Sequence, residues 1–229
     1  MKQLSEALLE AQRGASAVPY VRAVFGDYAG DRPRLRPRTL YVGGEPHAQH
    51  AVCVAADGAL VRARVQSGTL YVQRVASPGP GSNFSSWTSL GAVSASAGIA
   101  LVTGGGSGGE IMLVHVAADN VSVRYFWSFD GGASWNGPAG IATGASAVGA
   151  VCGAFRDADN ERVVFWAEGA TVYRARWVVG VGWGARTAWT NSAASITGLA
   201  VTFFLDWQVI VTGTQVGTGD AYVWACIYG

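Results

Sequence analysis

Ser128-Phe129-Asp130-Gly131-Gly132-Ala133-Ser134-Trp135 is the stretch whose reading decides the fold. It has the form S-x-D-x-G-x-S-W, with polar and glycine residues where a tight β-turn needs them. The short carboxylate of Asp130 can accept hydrogen bonds from backbone N–H groups two or three residues further on. Gly131 and Gly132 permit the positive φ angles that such a turn demands. Trp135 can fold its ring back beneath the turn and cover it. Ser128, Asp130, Gly132, Ser134 and Trp135 are therefore assigned a structural role.

The turn belongs to a repeat. Apolar runs recur around Val52, Ala100, Val151 and Ala200, at spacings of 48, 51 and 49 residues. A second set lies around Ala63, Leu113, Val164 and Ile210, and a third at Leu70–Val75, Val121–Trp127, Val172–Trp177 and Tyr222–Ile227. Trp87, Trp135 and Trp183 close the first three units, each 48 residues after the last. Turn signals separate the runs, among them Ala56-Asp57-Gly58, Ser67-Gly68 and Asp119-Asn120. Short strands rich in Val, Trp, Tyr and Phe at hairpin spacing predict antiparallel sheet. A period of roughly 40 to 50 residues with three or four strands is the signature of propeller blades. The expected fold is an all-β propeller of four-stranded antiparallel blades over 46–229, divided near 46–93, 94–143, 144–192 and 193–229. The first two strands of each unit are expected to be apolar on both faces, sandwiched between blades. The fourth unit is incomplete, stopping after its third strand. Either Arg38–Val42 supplies the missing outer strand and closes a four-bladed ring, or the chain is the front of a longer protein. The second is preferred, because the chain halts without a polar tail.

Residues 1–45 read as an N-terminal adaptor. Leu4, Leu8 and Leu9 give a narrow apolar stripe to a helix over 2–13, and strands are expected near 19–28 and 34–42. Arg34, Arg36 and Arg38 alternate along the second strand and would line one face of it. Leu4, Leu8 and these arginines are the candidate docking residues for another subunit.

Composition narrows the function. Half of the 229 residues are apolar, 14% are charged and the net charge is +1, which makes no electrostatic case for nucleic acid or an anionic membrane. No apolar stretch reaches the length of a membrane span, and no signal peptide opens the chain. Cys53, Cys152 and Cys226 sit inside apolar runs without C-x-x-C spacing, so buried reduced thiols are expected. No cofactor or metal is expected. The glycine-rich Gly104–Gly109 lacks the Lys-Ser/Thr of a phosphate loop. Asp157–Glu161 lacks the Gly and terminal Glu of a calcium loop, and His47 and His50 are a weak metal signal. His115, in an apolar strand, reads as a hydrogen-bonded core or interface histidine. The tryptophans exceed what blade packing requires, and Trp127, Trp177 and Trp189 are candidates for stacking on a sugar ring.

The Ser128–Trp135 turn matches the Asp-box, the hairpin signature of sialidase-like β-propellers. In those families the box joins a blade's third and fourth strands, away from any active site. A sialidase would need three arginines on the substrate carboxylate and a Phe/Tyr-Arg-Ile-Pro pattern early in the fold. That pattern is absent, Arg156 after Phe155 being its nearest echo, and the paired carboxylates of a glycosidase are not evident either. The whole chain also resembles a phage or prophage tail protein, through Leu4–Gln12 with Val18-Pro19-Tyr20-Val21, and through propeller units such as Phe84–Gly91. The resemblance implies a non-enzymatic structural protein of a virion tail or baseplate, assembled in the host cytoplasm. Its adaptor would dock on other tail subunits or copies of itself, and its propeller on host-surface glycan. The alternatives are a free-standing glycan-binding lectin and, second, a glycosidase.

Overall fold

Each apolar run becomes a strand, and each turn signal between runs reverses the chain. The computed structural model describes residues 49–76, 78, 86–104, 109–156, 161–191, 194–204, 208–215 and 221–227. Sheet 1 holds β1 (His50–Val54), β2 (Leu60–Gln66), β3 (Thr69–Val75) and β4 (Thr88–Ala92) in that order. Sheet 2 repeats the plan with β5 (Ala100–Thr103), β6 (Ile111–Val116), β7 (Ser122–Ser128) and β8 (Asn136–Thr143). Sheet 3 has β9 (Val148–Arg156), β10 (Glu161–Glu168) and β11 (Thr171–Val178). Its outer edge is split into β12 (Gly182–Trp183) and β13 (Thr187–Asn191), both paired with β11. Sheet 4 shows β14 (Ile196–Phe204), β15 (Gln208–Gln215) and β16 (Ala221–Ile227). Every pairing is antiparallel. The turn at Asp130 joins the third strand of sheet 2 to its fourth.

The sheets stack in sequence. The first strands meet, β1 against β5, β5 against β9 and β9 against β14. Between sheets 1 and 2 the core is built from Ala63, Val65, Leu70 and Val72 against Leu113 and Phe126. Between sheets 2 and 3, Met112, Val114 and Val116 meet Val151, Val164 and Trp166. Covered on both sides, β6 and β10 are buried at every residue, which is why runs such as Val163-Val164-Phe165-Trp166 carry no polar alternation.

The first unit departs from that expectation. β2 alternates buried Val61, Ala63 and Val65 with half-buried Arg62 and Arg64. Val52 and Val54 on β1 are 48% and 61% exposed. Sheet 2 covers one face of sheet 1, and among the described sheets none covers the other. The helix at 2–13, the strands near 19–28 and 34–42, and Leu4, Leu8, Arg34, Arg36 and Arg38 lie outside the described residues, as do His47 and Asp157–Asn160. Among the described residues no three His, Cys, Asp or Glu side chains gather where a metal could sit.

A candidate binding pocket between the first two sheets

The Ser128–Trp135 turn is a closed hydrogen-bond ring. Asp130 Oδ1 accepts from the Ser128 hydroxyl at 2.7 Å and from the Ser134 backbone N–H at 2.9 Å. Its Oδ2 accepts from the Ser134 hydroxyl at 2.6 Å. Ser128 Oγ in turn accepts from Gly132 N–H at 2.8 Å. These donors, the Ser134 hydroxyl foremost, hold the Asp130 carboxyl down at about 2. Gly131 and Gly132 adopt φ of 65° and 86°. The second glycine sits so close to sheet 1 that a Cβ there would lie 2.8 Å from Val61 Cγ2.

That contact makes the turn more than a local device, because it presses on the neighbouring sheet. Trp135 is half-buried and packs into the core between sheets 1 and 2, touching the clusters around Val72 and around Val61. Its indole Nε1 is buried without a partner. Gly131 offers its carbonyl to Arg74 of β3, whose Nε donates to it at 3.0 Å. The same guanidinium donates from Nη2 to Asp57 Oδ2 at 2.5 Å. Asp57 also caps its own turn by accepting from Ala59 N–H at 2.9 Å. The Ala59 N–H first, and Arg74 after it, keep the Asp57 carboxyl below its ordinary value.

Above this junction lies a pocket of about 480 Å³. Arg74, Trp135 and Ser134 line it together with Ser86, Thr88 and Leu90. It thus offers hydroxyls and a guanidinium together with an indole and aliphatic surface. No carboxylate is among the described residues that line it.

The sugar-stacking candidates lie elsewhere. Trp127 on β7 is half-buried beside Tyr125, ring centroids 5.4 Å apart. Trp177 on β11 is half-buried, and the Arg162 guanidinium lies over its ring, 3.9 Å from the centroid. Trp189 on β13 meets Phe165 edge-on at 5.0 Å and packs on the core between sheets 3 and 4. None of the three lines the pocket, and its aromatic wall is Trp135. Sequence reasoning gave Trp135 a purely structural part and passed over Arg74 and Asp57. The signal for that pair was an aspartate in the first turn of a unit and an arginine at the end of its third strand.

Other arginines between the sheets are likewise paired. Arg162 donates to Glu110 across the gap from sheet 3 to sheet 2, and Arg176 donates to Glu161 within sheet 3. Buried Glu168 accepts from the Trp166 indole at 2.8 Å and from Ala145 N–H at 3.0 Å, and Arg186 lies 3.0 Å from it. His115 corrects an expectation. It is buried and stacked on Phe126 at 5.2 Å, but neither ring nitrogen has a hydrogen-bond partner. Burial pushes its pKa down, so the neutral ring is the form that fits this apolar site.

No protein-family model and no curated protein sequence matches the chain. Solved structures do. A Hadza microbial sialidase superposes with a TM-score of 0.58 at 12% identity, over 79% of this chain and 44% of its own. The Aleuria aurantia lectin in complex with Fucα1-6GlcNAc gives 0.58 at 15% identity, over 80% of this chain and 59% of its own. The fucose-specific lectin from Aleuria aurantia, in a mercury-derivative form, gives 0.53 at 14%, over 79% and 57%. The chain thus spans roughly half the length of each. At these identities the likeness is one of fold, the stacked antiparallel sheets of sialidase-type and lectin β-propellers. The resemblance to a phage tail protein gains no support from these structures.

Proposed function

We propose that the chain is a carbohydrate-binding β-propeller module that holds a glycan in the pocket between sheets 1 and 2 without cleaving it. The observation that carries this reading is the pocket of about 480 Å³ with its mixed lining of hydroxyls, a guanidinium and an indole. A sugar ring has an apolar C–H face and a rim of hydroxyls. Trp135 and Leu90 suit the first, and Ser86, Thr88, Ser134 and Arg74 suit the second. The pocket lies within the usual size range of small-molecule sites. A lining without a carboxylate supports binding over hydrolysis, since glycosidic cleavage calls on a pair of acids flanking the bond. The lectin likeness in fold supports the same reading.

The test is retention on a broad array of immobilised glycans, with Thr88→Trp as the blocking variant. Thr88 is exposed at the pocket wall, so an indole there fills the space without entering the core. Wild-type binding abolished by Thr88→Trp, with an unchanged circular dichroism spectrum and melting point, supports the reading. Glycan binding that survives Thr88→Trp would move the site elsewhere. Turnover of a fluorogenic glycoside would refute the non-catalytic part.

A further inference from the structure

We infer that the sugar taken by the pocket between sheets 1 and 2 is uncharged, and that the Asp57–Arg74 pair is what sets this selectivity. The inference rests on the glycan-binding reading and adds the chemical class of the ligand.

Among the described residues that line the pocket, Arg74 is the charged one. A guanidinium facing a sugar site is the natural grip for a carboxylate, because its planar fork fits both oxygens. Here the fork is committed. Nη2 donates to Asp57 Oδ2 and Nε to the Gly131 carbonyl, so at least two of the five N–H donors are tied and the positive charge has its counter-ion in contact. Asp57 is not itself among the lining residues, but its half-exposed carboxylate lies 2.5 Å from Arg74 Nη2, so an anion gripped by that guanidinium would come near it. A sugar carboxylate would therefore meet a neutralised pair with an aspartate at close range, and a like charge there disfavours it. A neutral ring meets no such opposition. Its hydroxyls can accept from the guanidinium edge and exchange hydrogen bonds with Ser86, Thr88 and Ser134.

Asp57 is a selectivity residue in this account, acting through Arg74. Asp57→Asn keeps an oxygen for the Ala59 N–H and removes the negative charge. The experiment uses the whole chain and compares neutral glycosides (terminal galactose, N-acetylglucosamine, 6-deoxyhexose) with carboxylated ones (terminal glucuronate, sialic acid) by titration calorimetry. The wild type is expected to bind a neutral member and to bind the carboxylated ones at least about tenfold more weakly. Asp57→Asn should shift that ratio toward the carboxylated sugars by about tenfold, the size of effect a freed guanidinium–carboxylate contact gives. Wild-type affinity should also stay flat between about 0.05 and 0.5 M salt, because screening acts on charge pairs. A wild type that prefers a carboxylated sugar overturns the inference and leaves the glycan-binding reading standing. Binding of no member of either set overturns both. Should Asp57→Asn fail to fold, the wild-type preference and its salt dependence still decide.

Discussion

Replacing Gly132 by alanine isolates the contact that ties the Ser128–Trp135 turn to the neighbouring sheet. Two effects add. At φ of 86° an L-residue sits in the left-handed region, which costs about 1–2 kcal/mol. The new methyl would also lie 2.8 Å from Val61 Cγ2 and 3.5 Å from Ile111 Cδ1. Both neighbours are fully buried, at 0% exposure, and have no free side to move into. Overpacking of that kind costs about 1–3 kcal/mol, so the sum is about 2–5 kcal/mol. Gly58→Ala is the control. It has φ of 81° and nothing within 4 Å of its would-be Cβ, so it carries the conformational cost alone. At roughly 2–4 °C per kcal/mol for a chain of this size, Gly132→Ala should melt several degrees below Gly58→Ala. Val61→Ala in the Gly132→Ala background should recover part of the loss, because it removes the clashing methyl. The double-mutant cycle, measured by urea unfolding followed through tryptophan fluorescence, should show a coupling of about 0.5–3 kcal/mol. Equal melting points for the two glycine variants, or strict additivity with Val61→Ala, would refute the packing of this turn on sheet 1.

The Asp130 carboxyl titrates at about 2 in the folded chain against 3.8 ordinarily. A depressed folded pKa gives stability that is present above the unfolded value and lost as pH falls through the folded one. Wild-type stability should therefore decline from about pH 5 toward pH 2, and Asp130→Asn should be less stable at pH 7 with a shallower acid decline in chemical unfolding. Glu168→Ala removes the acceptor of the Trp166 indole and Ala145 amide and the counter-ion of Arg186. Leaving the buried Trp166 indole without its acceptor costs about 1–3 kcal/mol, which calorimetry should read as a fall in melting point of a few degrees. Burial pushes the Cys53 thiol up to about 12 and the Cys152 thiol up as well. In a Cys226→Ser variant at pH 8 both should resist a disulfide reagent until denaturant is added, and rapid labelling of the native chain would contradict their placement.

The stacking of sheets was legible in the sequence because it follows from local pattern. The tryptophan spacing and the double-sided apolar runs set strand number and phase, and the two glycines with Asp130 marked the turn from third to fourth strand. The pocket was not legible, because its parts come from different units. Asp57 and Arg74 are 17 residues apart, and Arg74 meets Gly131 across 57. Folding of the first unit brings Asp57 to Arg74, and the approach of sheet 2 to sheet 1 then brings the Gly131 carbonyl to the same guanidinium. Partners within one sheet were no easier to read: Arg162 on β10 stands opposite Trp177 on β11 and lays its guanidinium over that ring. His115 shows the reverse error, since a polar ring in an apolar run was expected to find a partner and found Phe126 instead.

The repeat sets different side chains at equivalent places in the first two junctions. Arg74 stands opposite Val61 on the neighbouring strand, Trp127 stands opposite Met112, and Arg176 stands opposite Val163. Two residues earlier, Val72 pairs with Ala63 where Tyr125 pairs with Val114. The tryptophans that close the second and third units reach back toward the preceding sheet, Trp135 onto the Val72 region and Trp183 onto Tyr125. In the second junction Trp183 and Tyr125 meet edge-on at 5.6 Å, with Trp127 tilted against Tyr125 at 5.4 Å. In the first, a valine stands where the second has a tyrosine, and Arg74 is held by Asp57 and the Gly131 carbonyl. The position that carries an aromatic contact in the second unit thus lines the pocket in the first, where Val72 stands.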